Sequence, residues 1–513
     1  MKTLGFISLF VCLLLAGSLW GQPALGLQGR NRVVGSFTYP SDYLFGGNKL
    51  TGTIQGTDTA DFYNERYIWV GAASLSKPNG DLLAYTNGYT LLDATGHIVP
   101  GADSLSPTPV ALSELDGGIR LDQSALLLPK PGDTSEFRLV TIAPESWASM
   151  EEFFPFRIWL NRFKVTQTGD IVVLEKNRQL LSNTRLEINY FSACRHGNGR
   201  DWWVFAKRRN SRIHERFLFT PDTILHDTMF VGGSTLSSDA GRLMFSPNGQ
   251  YAATWESLGG LRVFDFDRCQ GTFNLLSAIP PPNYPPNSGI FCLSLCFSPQ
   301  NKYIYYNSST QIFRLPLQSN LQPSDVQLVR DWTFFQDTGF IGANGFWGME
   351  PTLAGTIHLS GSGTCRYYCT IANPDAASVS DVGYGHFNFM IPHGNNATFS
   401  NIPYHGLGAK VGSPCDTLSA ITDVGKSGVG LLRLYPNPGA GQGTVLYDAV
   451  YGGGLLQVCS ATGQEVHRQT LYPGSQQAEV QPKDALAPGV YSITLQAPQG
   501  GPSNRIKWVV TQP

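Results

Sequence analysis

The chain has 513 residues, a formal net charge of −2 and only 14% charged residues, so no broad electrostatic field draws it to nucleic acid or to an anionic membrane. Its length exceeds one ordinary globular core and calls either for several domains or for a repeat that spreads one domain over hundreds of residues. With 56 glycines, 33 prolines and 12% aromatics, the composition excludes a mainly helical protein and favours short strands joined by tight turns.

Lys2 precedes an apolar run from Phe6 to Ala16, too short for the about 20 residues that cross a bilayer as a helix. Followed by small residues at Gly21, Ala24 and Gly26, it reads as a signal peptide over 1–26, and no later segment reads as a transmembrane anchor. Of the nine cysteines, Cys12 leaves with the signal, and the remaining eight belong to an exported chain in which disulfides are permitted. Cys292 and Cys296, like Cys365 and Cys369, are four apart in strand-like text, about 13 Å along a strand. That separation excludes a bond within either pair and a shared zinc. Bonds between neighbouring segments, or buried free thiols, are expected instead, with no metal and no other cofactor.

From 27 to 420 the text is a succession of strands. Val33 to Tyr39 is strand-like, and Ile68 to Ser74 with Leu82 to Thr86 flank Lys77-Pro78-Asn79-Gly80 as a hairpin. Turns at Asn87-Gly88 and Ala94-Thr95-Gly96 continue the meander. Ala125 to Leu128 returns through Pro129 to Asp133 into Phe137 to Ile142, a short helix is expected over 146–154, and Phe163 to Thr166 pairs with Ile171 to Leu174. Trp202 to Ala206 and Glu215 to Phe219 follow. Then Phe245-Ser246-Pro247-Asn248-Gly249-Gln250-Tyr251 is echoed by Phe297-Ser298-Pro299-Gln300-Asn301-Lys302-Tyr303, 52 residues later, each copy leading into a further strand (Leu261 to Phe266, Gln311 to Leu317). Pro280 to Pro286 reads as a surface loop, and 346–371 and 386–407 supply the last strands. Several strands per unit at a period near ~50 residues is the pattern of a β-propeller. Seven blades are expected, six if one insertion is loop, with the N-terminal strand completing the last blade.

A linker over 421–430 leads to 431–513, where strands at Val445 to Tyr447, Leu455 to Cys459, Glu465 to His467, Val490 to Leu495 and Ile506 to Val510 suggest a small immunoglobulin-like β-sandwich. The whole chain is thus all-β. Four ordered motifs lie in the last domain: Leu434-Tyr435-Pro436-Asn437-Pro438, Ala461-Thr462-Gly463-Gln464-Glu465-Val466, Leu486-Ala487-Pro488-Gly489-Val490-Tyr491 and Lys507-Trp508-Val509-Val510. In these it resembles the type A sorting domain of the type IX secretion system of Bacteroidetes. The resemblance implies signal-peptide export to the periplasm and passage across the outer membrane by the type IX machinery, with Leu434, Tyr435, Pro436, Asn437, Pro438, Gly489, Tyr491 and Lys507 carrying the motif. The product is secreted or held on the outer cell surface. The region 60–420 is similar to Bacteroidetes exported proteins of unassigned activity, through Gly80 to Gly88, Cys194 to Trp203, Phe264 to Gly271 and Gly412 to Asp416; this implies a propeller and no catalytic residues.

The densest run of chemically capable side chains is Cys194 to Trp203. Arg195, His196, Asn198, Arg200, Asp201, Trp202 and Trp203 are the ligand-binding candidates, with arginines to clamp a carboxylate and a tryptophan to stack on a ring. The competing and favoured reading is architectural: Asn198 and Asp201 accept backbone N–H groups within the turn and His196 bridges blades. No nucleophile accompanies His196 and Asp201. Asp265 and Asp267 share a strand face, with Arg268 expected as their ion-pair partner; His386, His393 and His405 read as ordinary loop histidines. There is no nucleophile elbow, phosphate loop or zinc-protease motif. The expected function is an exported or surface propeller that binds a protein or glycan partner. The alternatives are a carbohydrate-active or other hydrolytic propeller, whose catalytic groups come from separate blades, and a structural component of a surface layer.

Overall fold

A computed structural model of the chain describes residues 28, 30–34, 46–52, 55–66, 68, 71–113, 117–145, 154–231, 241–256, 259–281, 292–332, 345–361, 364–396, 399–416, 432–435, 437, 440–447, 454–472, 477–497 and 503–511. The expected signal peptide, the linker over 421–430, the proline loop beyond Pro281 and, Phe154 apart, the expected helix over 146–154 lie outside the described residues. So do Pro436 and Pro438 of the sorting motif. Two compact units are present, 1–410 and 411–513. Among the described residues no helix is long and apolar enough to cross a membrane, and the one α-helix is Pro109–Ser113.

The first unit is a ring of seven antiparallel sheets in chain order. Blade 1 is β1 (Asn31–Val34), β2 (Gly46–Gly52) and β3 (Thr57–Tyr63); blade 2 is β4 (Ala73–Ser76), β5 (Leu82–Thr86) and β6 (Leu91–Asp93). The other five have four strands each. Blade 3 is β7 (Ala125–Pro129), β8 (Glu136–Ile142), β9 (Ile158–Val165) and β10 (Ile171–Leu181). Blade 4 is β11 (Ser192–Arg195), β12 (Trp202–Lys207), β13 (Ile213–Phe219) and β14 (Ile224–Phe230). Blade 5 is β15 (Gly241–Phe245), β16 (Tyr251–Glu256), β17 (Gly260–Asp267) and β18 (Thr272–Ile279). Blade 6 is β19 (Cys292–Phe297), β20 (Tyr303–Ser308), β21 (Gln311–Pro316) and β22 (Gln327–Asp331). Blade 7 is β23 (Phe346–Pro351), β24 (Ile357–Gly361), β25 (Thr364–Ile371) and β26 (Tyr384–Asn396).

Each blade buries both faces against its neighbours, so the second strands of blades 2 to 7 are buried at all or all but one position rather than alternating. Leu126, Val140 and Leu160 of blade 3 meet Ala193, Trp202 and Val204 of blade 4; Phe205 of blade 4 meets Phe245, Phe264 and Phe266 of blade 5. Similar seams join blades 2 and 3, 5 and 6, and 6 and 7. Each fully buried large side chain is worth roughly 1.5–3 kcal/mol of transfer free energy. Leu50 packs on Tyr368 and Ile391, joining blade 1 to blade 7. Blade 1 meets blade 2 through Asn31, whose Nδ2 donates to Ser76 Oγ at 3.0 Å and Gly80 O at 2.7 Å, while Ser74 Oγ donates to Asn31 O. The ring therefore closes with seven blades. It does not close as the sequence suggests: β1 pairs with β2 inside its own blade, and blade 7 is complete from consecutive strands.

The repeat in the sequence is a turn. After the first strand of blade 5, Ser246 N donates to Tyr251 O, Gly249 N to Ser246 O and Tyr251 N to Ser246 Oγ. Ser298, Asn301 and Tyr303 do the same in blade 6, with Gly249 and Asn301 at φ +69° and +56°, where glycine and asparagine are the tolerant residues. The turn at His196 in blade 4 repeats this spacing, and the first hairpins of blades 2, 3 and 7 close with the same pair of bonds over shorter or longer turns, at Lys77, Lys130 and Thr352.

The second unit is a β-sandwich. One sheet holds β27 (Leu432–Tyr435), β28 (Gly443–Tyr447) and β31 (Gln477–Val480); the other orders β30 (Glu465–Thr470), β29 (Leu455–Ser460), β32 (Gly489–Gln496) and β33 (Ser503–Val510). Leu434, Val445, Val480, Leu456, Ile493 and Trp508 form its core.

Cys194, Cys296 and Cys369 are buried free thiols and Cys459 is a half-buried one. Cys269 and Cys415 are disulfide-bonded. With Cys296 and Cys369 free, neither four-residue pair closes on itself.

Candidate functional site

The run Cys194 to Trp203 ends β11, makes the first-hairpin turn of blade 4 and opens β12. His196 stands where blades 5 and 6 have serine, and its backbone repeats their bonds: His196 N to Asp201 O at 2.9 Å and Gly199 N to His196 O at 2.9 Å. The side chains then close on one another. Asn198 Oδ1 accepts from the N–H of Arg200 and Asp201, both at 3.0 Å. The Asp201 carboxylate accepts from Asn198 Nδ2 at 2.8 Å and from Arg200 Nε and Nη2 at 2.7 and 3.1 Å, a two-pronged arginine fork that lifts the Arg200 pKa further. Asp201 is 4% exposed.

His196 reaches across to blade 5. Its Nε2 stands 3.1 Å from Cys269 O and its Nδ1 takes the Asn198 N–H at 3.1 Å, which assigns the proton to Nε2 and leaves no lone pair for a base. Arg268, in the facing turn of blade 5, donates from Nε to Arg195 O at 2.9 Å and from Nη2 to His196 O at 3.1 Å and to Gly408 O. Trp203 Nε1 donates back to Arg268 O at 2.8 Å. The expected ion pair of Arg268 with Asp265 or Asp267 is therefore corrected: among the described residues it makes neither, and Asp267 instead caps the N–H groups of Cys269 and Gln270. Three of its five N–H groups go to backbone carbonyls of blade 4 and of the segment at Gly408 rather than to a strand carboxylate.

Arg195 lays its guanidinium 4.0 Å over the Trp202 ring and donates from Nη1 to Arg200 O at 2.6 Å. Burial, with the nearby Arg268 charge, pushes its pKa down to about 10, so it remains charged. Burial pushes the Cys194 thiol up to about 12, which removes it as a nucleophile at neutral pH. Trp202 is fully buried and Trp203 7% exposed, so neither offers a ring face to solvent. All seven candidates come together, and they contact one another, the rest of blade 4, blades 3 and 5 and one further segment.

That segment is 399–410, which the sequence shows only as leftover strand text. Asn401 N donates to Ala72 O at 2.8 Å and Asn401 Nδ2 to Ala125 O and Phe191 O at 3.1 and 2.9 Å. These carbonyls stand at the entry ends of the first strands of blades 2, 3 and 4; first strands neighbour one another from blade 2 to blade 3 and from blade 4 on to blade 7. At the other end Tyr404 packs on Leu353, an added Cβ on Gly249 would meet Leu407 at 2.7 Å and one on Gly199 would meet Ala409 N at 2.5 Å, and Lys410 N donates to Gly197 O at 2.7 Å. The chain thus threads its own axial channel. Phe399, Ser400, Asn401, Tyr404 and His405 are each 6% exposed or less.

His405 lies edge-on to Trp202, ring centroids 5.4 Å apart, with neither ring nitrogen hydrogen-bonded. Burial, then the charge of Arg195, pushes its pKa down to about 3. The three histidines of the sequence reading do not converge: His386 bonds Tyr384 OH at 2.7 Å in blade 7, His405 is axial, and the side chain of His393 is outside the described residues. Among the described residues no cluster of His, Cys, Asp and Glu could hold a metal. Arg268 and His405 are the residues that sequence reasoning undervalued; a charged residue closing the Phe264 to Asp267 strand was the only signal for the first, and nothing local marks the second.

In the sandwich, Asn437 fastens the first strand to the last. Its Nδ2 donates to Lys507 O at 2.7 Å and its Oδ1 accepts Val509 N at 2.9 Å. Tyr491 OH donates to Ala487 O at 2.9 Å, which closes the turn before Gly489, and Leu434 is core. Two of the sequence motifs are therefore two sides of one contact. The side chain of Tyr435 is outside the described residues.

The family described as the secretion system C-terminal sorting domain matches residues 433–510. The chain thus carries such a sorting domain behind its propeller. No curated protein matches the chain. Similar solved structures include a putative 6-phosphogluconolactonase from Bacteroides uniformis (14% identity over 72% of this chain and 99% of that chain, TM-score 0.41). Others are PorZ, described as an essential bacterial surface component of the type-IX secretion system of Porphyromonas gingivalis (13%, 91% and 56%, TM-score 0.31), and the periplasmic gluconolactonase PpgL of Pseudomonas aeruginosa (13%, 88% and 99%, TM-score 0.34). These likenesses carry no activity over to this chain.

Proposed function

We propose that the mature protein is a secreted or cell-surface propeller, delivered by the type IX machinery through residues 431–513, that engages a protein or glycan partner with the outside of its ring. The observation that supports an external surface is the axial channel filled by 399–410. A propeller whose axis is occupied by its own backbone, bonded at both ends, has no open central cavity in which to enclose a small substrate. The same filling argues for an architectural role of Arg195, His196, Asn198, Arg200 and Asp201, whose side-chain hydrogen bonds hold the turn and reach blade 5.

Two experiments test this reading. Deleting the residues after Gly430 is expected to leave the propeller in the periplasm; surface delivery of the truncated chain would remove the sorting claim. Mature protein is then applied to a glycan array and to envelope proteins of the producing cell. Saturable binding of one partner supports the proposal, whereas turnover of a polysaccharide, abolished by Asp201→Asn, would replace it with the hydrolytic alternative.

A further inference from the structure

The turn at His196 to Asp201 closes one end of the seam between blades 4 and 5. The other end encloses a cavity of about 20 Å³, room for one water-sized body. Lys207 at the end of β12, Thr254 and Glu256 at the end of β16 and Arg262 near the start of β17 line it, with His214 and Tyr190. Lys207, Thr254, Glu256 and Arg262 are 3%, 5%, 4% and 7% exposed. Arg212, which is exposed, stands at the mouth.

Glu256 Oε1 faces both cations, at 3.5 Å from Lys207 Nζ and 3.3 Å from Arg262 Nη1, yet neither contact is a hydrogen bond. Lys207 Nζ, Arg262 Nε, Arg262 Nη1 and Thr254 Oγ1 all lack a hydrogen-bond partner. Ammonium and guanidinium groups donate only, so these orphans call for an acceptor. The acceptor-only orphan is Glu256 Oε2, and it lies with Arg262 Nη1 beside Gly259, where an added Cβ would stand 2.4 and 2.7 Å from the two. His214 adds no charge, because burial and the Lys207 ammonium push its pKa down to about 3. The Tyr190 hydroxyl is held protonated by burial and by the Glu256 charge. Around the cavity stand three cations, Lys207, Arg262 and Arg212, against Glu256 and, beyond Tyr190, Glu187.

A water molecule would accept from two of these donors and could give its hydrogens to Tyr190 Oη, His214 Nδ1 or Glu256 Oε2, which are also unpartnered, but it would leave the surplus positive charge unbalanced. A monatomic anion accepts from every side and balances the surplus positive charge. We propose that the cavity bounded by Lys207, Thr254 and Arg262 is a binding site for a small monovalent anion of the chloride class, which ties blade 4 to blade 5. Lys207 comes from blade 4 and the other two from blade 5, so the anion bridges the seam at the end opposite His196.

The test uses the mature chain crystallised with sodium bromide in place of chloride, and melted in bromide, chloride and the strongly hydrated fluoride at equal ionic strength. The expected result is an anomalous bromide peak within hydrogen-bonding reach of Lys207 Nζ and Arg262 Nη1, and a higher melting midpoint in bromide and chloride than in fluoride. Lys207→Met is expected to abolish that halide dependence. Thr254→Val, which keeps both cations and the side-chain volume, is expected to weaken the apparent halide affinity about tenfold and serves where Lys207→Met fails to fold. A cavity peak without anomalous signal, or a midpoint that follows ionic strength alone, makes the occupant a water and overturns the proposal. A halide dependence unchanged in Thr254→Val puts the anion elsewhere and overturns it as well.

Discussion

The two ends of the seam between blades 4 and 5 are opposites. At the turn end, six consecutive residues from His196 to Asp201 carry dense polar chemistry, and Asn198, Asp201 and both nitrogens of His196 have partners. At the cavity end, Lys207, Thr254 and Arg262 are scattered over more than fifty positions of sequence, and Lys207 Nζ, Thr254 Oγ1, Arg262 Nε and Arg262 Nη1 have no hydrogen-bond partner. Buried polar groups left unmatched cost about 1–3 kcal/mol each, so a protein retains them where something else completes them. Density of polar residues along a chain therefore marks a self-sufficient turn here, and the incomplete site is the one assembled by topology.

Acid should act on both ends alike, and this is the largest effect expected. His405 at the turn end and His214 at the cavity end both have a pKa pushed from 6.5 down to about 3. Unfolded, each imidazole takes its proton near pH 6.5; folded, each resists until about 3. Between those values the unfolded state binds more protons, so stability is complete above pH 6.5 and falls as the pH drops, by on the order of 5 kcal/mol per ring at the lower limit. Chemical denaturation at pH 7 and pH 4 measures the slope. His405→Phe, which removes two ring nitrogens that have no partner, should flatten it at no cost at neutral pH; an unchanged slope would mean that the axial histidine is hydrated and the ends are less alike than drawn.

Asp201→Ala is the next largest. It deletes the acceptor of three bonds and leaves Asn198 and Arg200 without it, at about 3 kcal/mol, with Asp201→Asn costing less because one oxygen remains. Urea denaturation checks both; a loss below about 0.5 kcal/mol, the scale of ordinary surface substitutions, would remove the claim that the turn is self-sufficient. Asn401→Ala strips Ala125 O and Phe191 O of their shared donor at the entry end of the channel, at about 2 kcal/mol. The axial segment should then become accessible to protease near Asn401 while the His196 turn keeps its protection from hydrogen exchange.

The readable parts of this fold are those repeated or buried. Ser246 and Ser298 do the same bonding, so their surroundings repeat in sequence, and β5, β12 and β20 are buried at every position, which shows as apolar runs ending in a polar residue. The fourth strands are not readable in this way: β14 is Ile224-Leu225-His226-Asp227-Thr228-Met229-Phe230, exposed or half-buried at each position, because an edge strand outside the ring has no face that must be apolar. β3, Thr57-Asp58-Thr59-Ala60-Asp61-Phe62-Tyr63, is equally polar. The axial segment has no period to find, since a chain crossing between first strands meets a different neighbour at each residue. For the cavity a faint signal exists: Lys207 and Glu256 each end an otherwise apolar strand, and a charge closing such a strand sits at the mouth of a seam. Which of them meet is decided by the ring, and one sequence does not contain that distance.

The smallest expected effect separates the two ends most sharply, because it changes sign. Thr254→Val replaces a buried hydroxyl that has no hydrogen-bond partner with a methyl group of similar volume. In fluoride buffer, where the cavity holds no chloride-class anion, removing an unmatched hydroxyl relieves a desolvation penalty and should raise stability by up to about 1 kcal/mol. In chloride the same hydroxyl is one of the anion's donors, and the variant should be no more stable than the parent, or slightly less. Urea titrations in the two salts give the difference directly. No substitution in the His196 turn should show such a reversal, since its groups are partnered whatever the salt; a Thr254→Val effect of the same sign in both salts would make the two ends of the seam chemically equivalent.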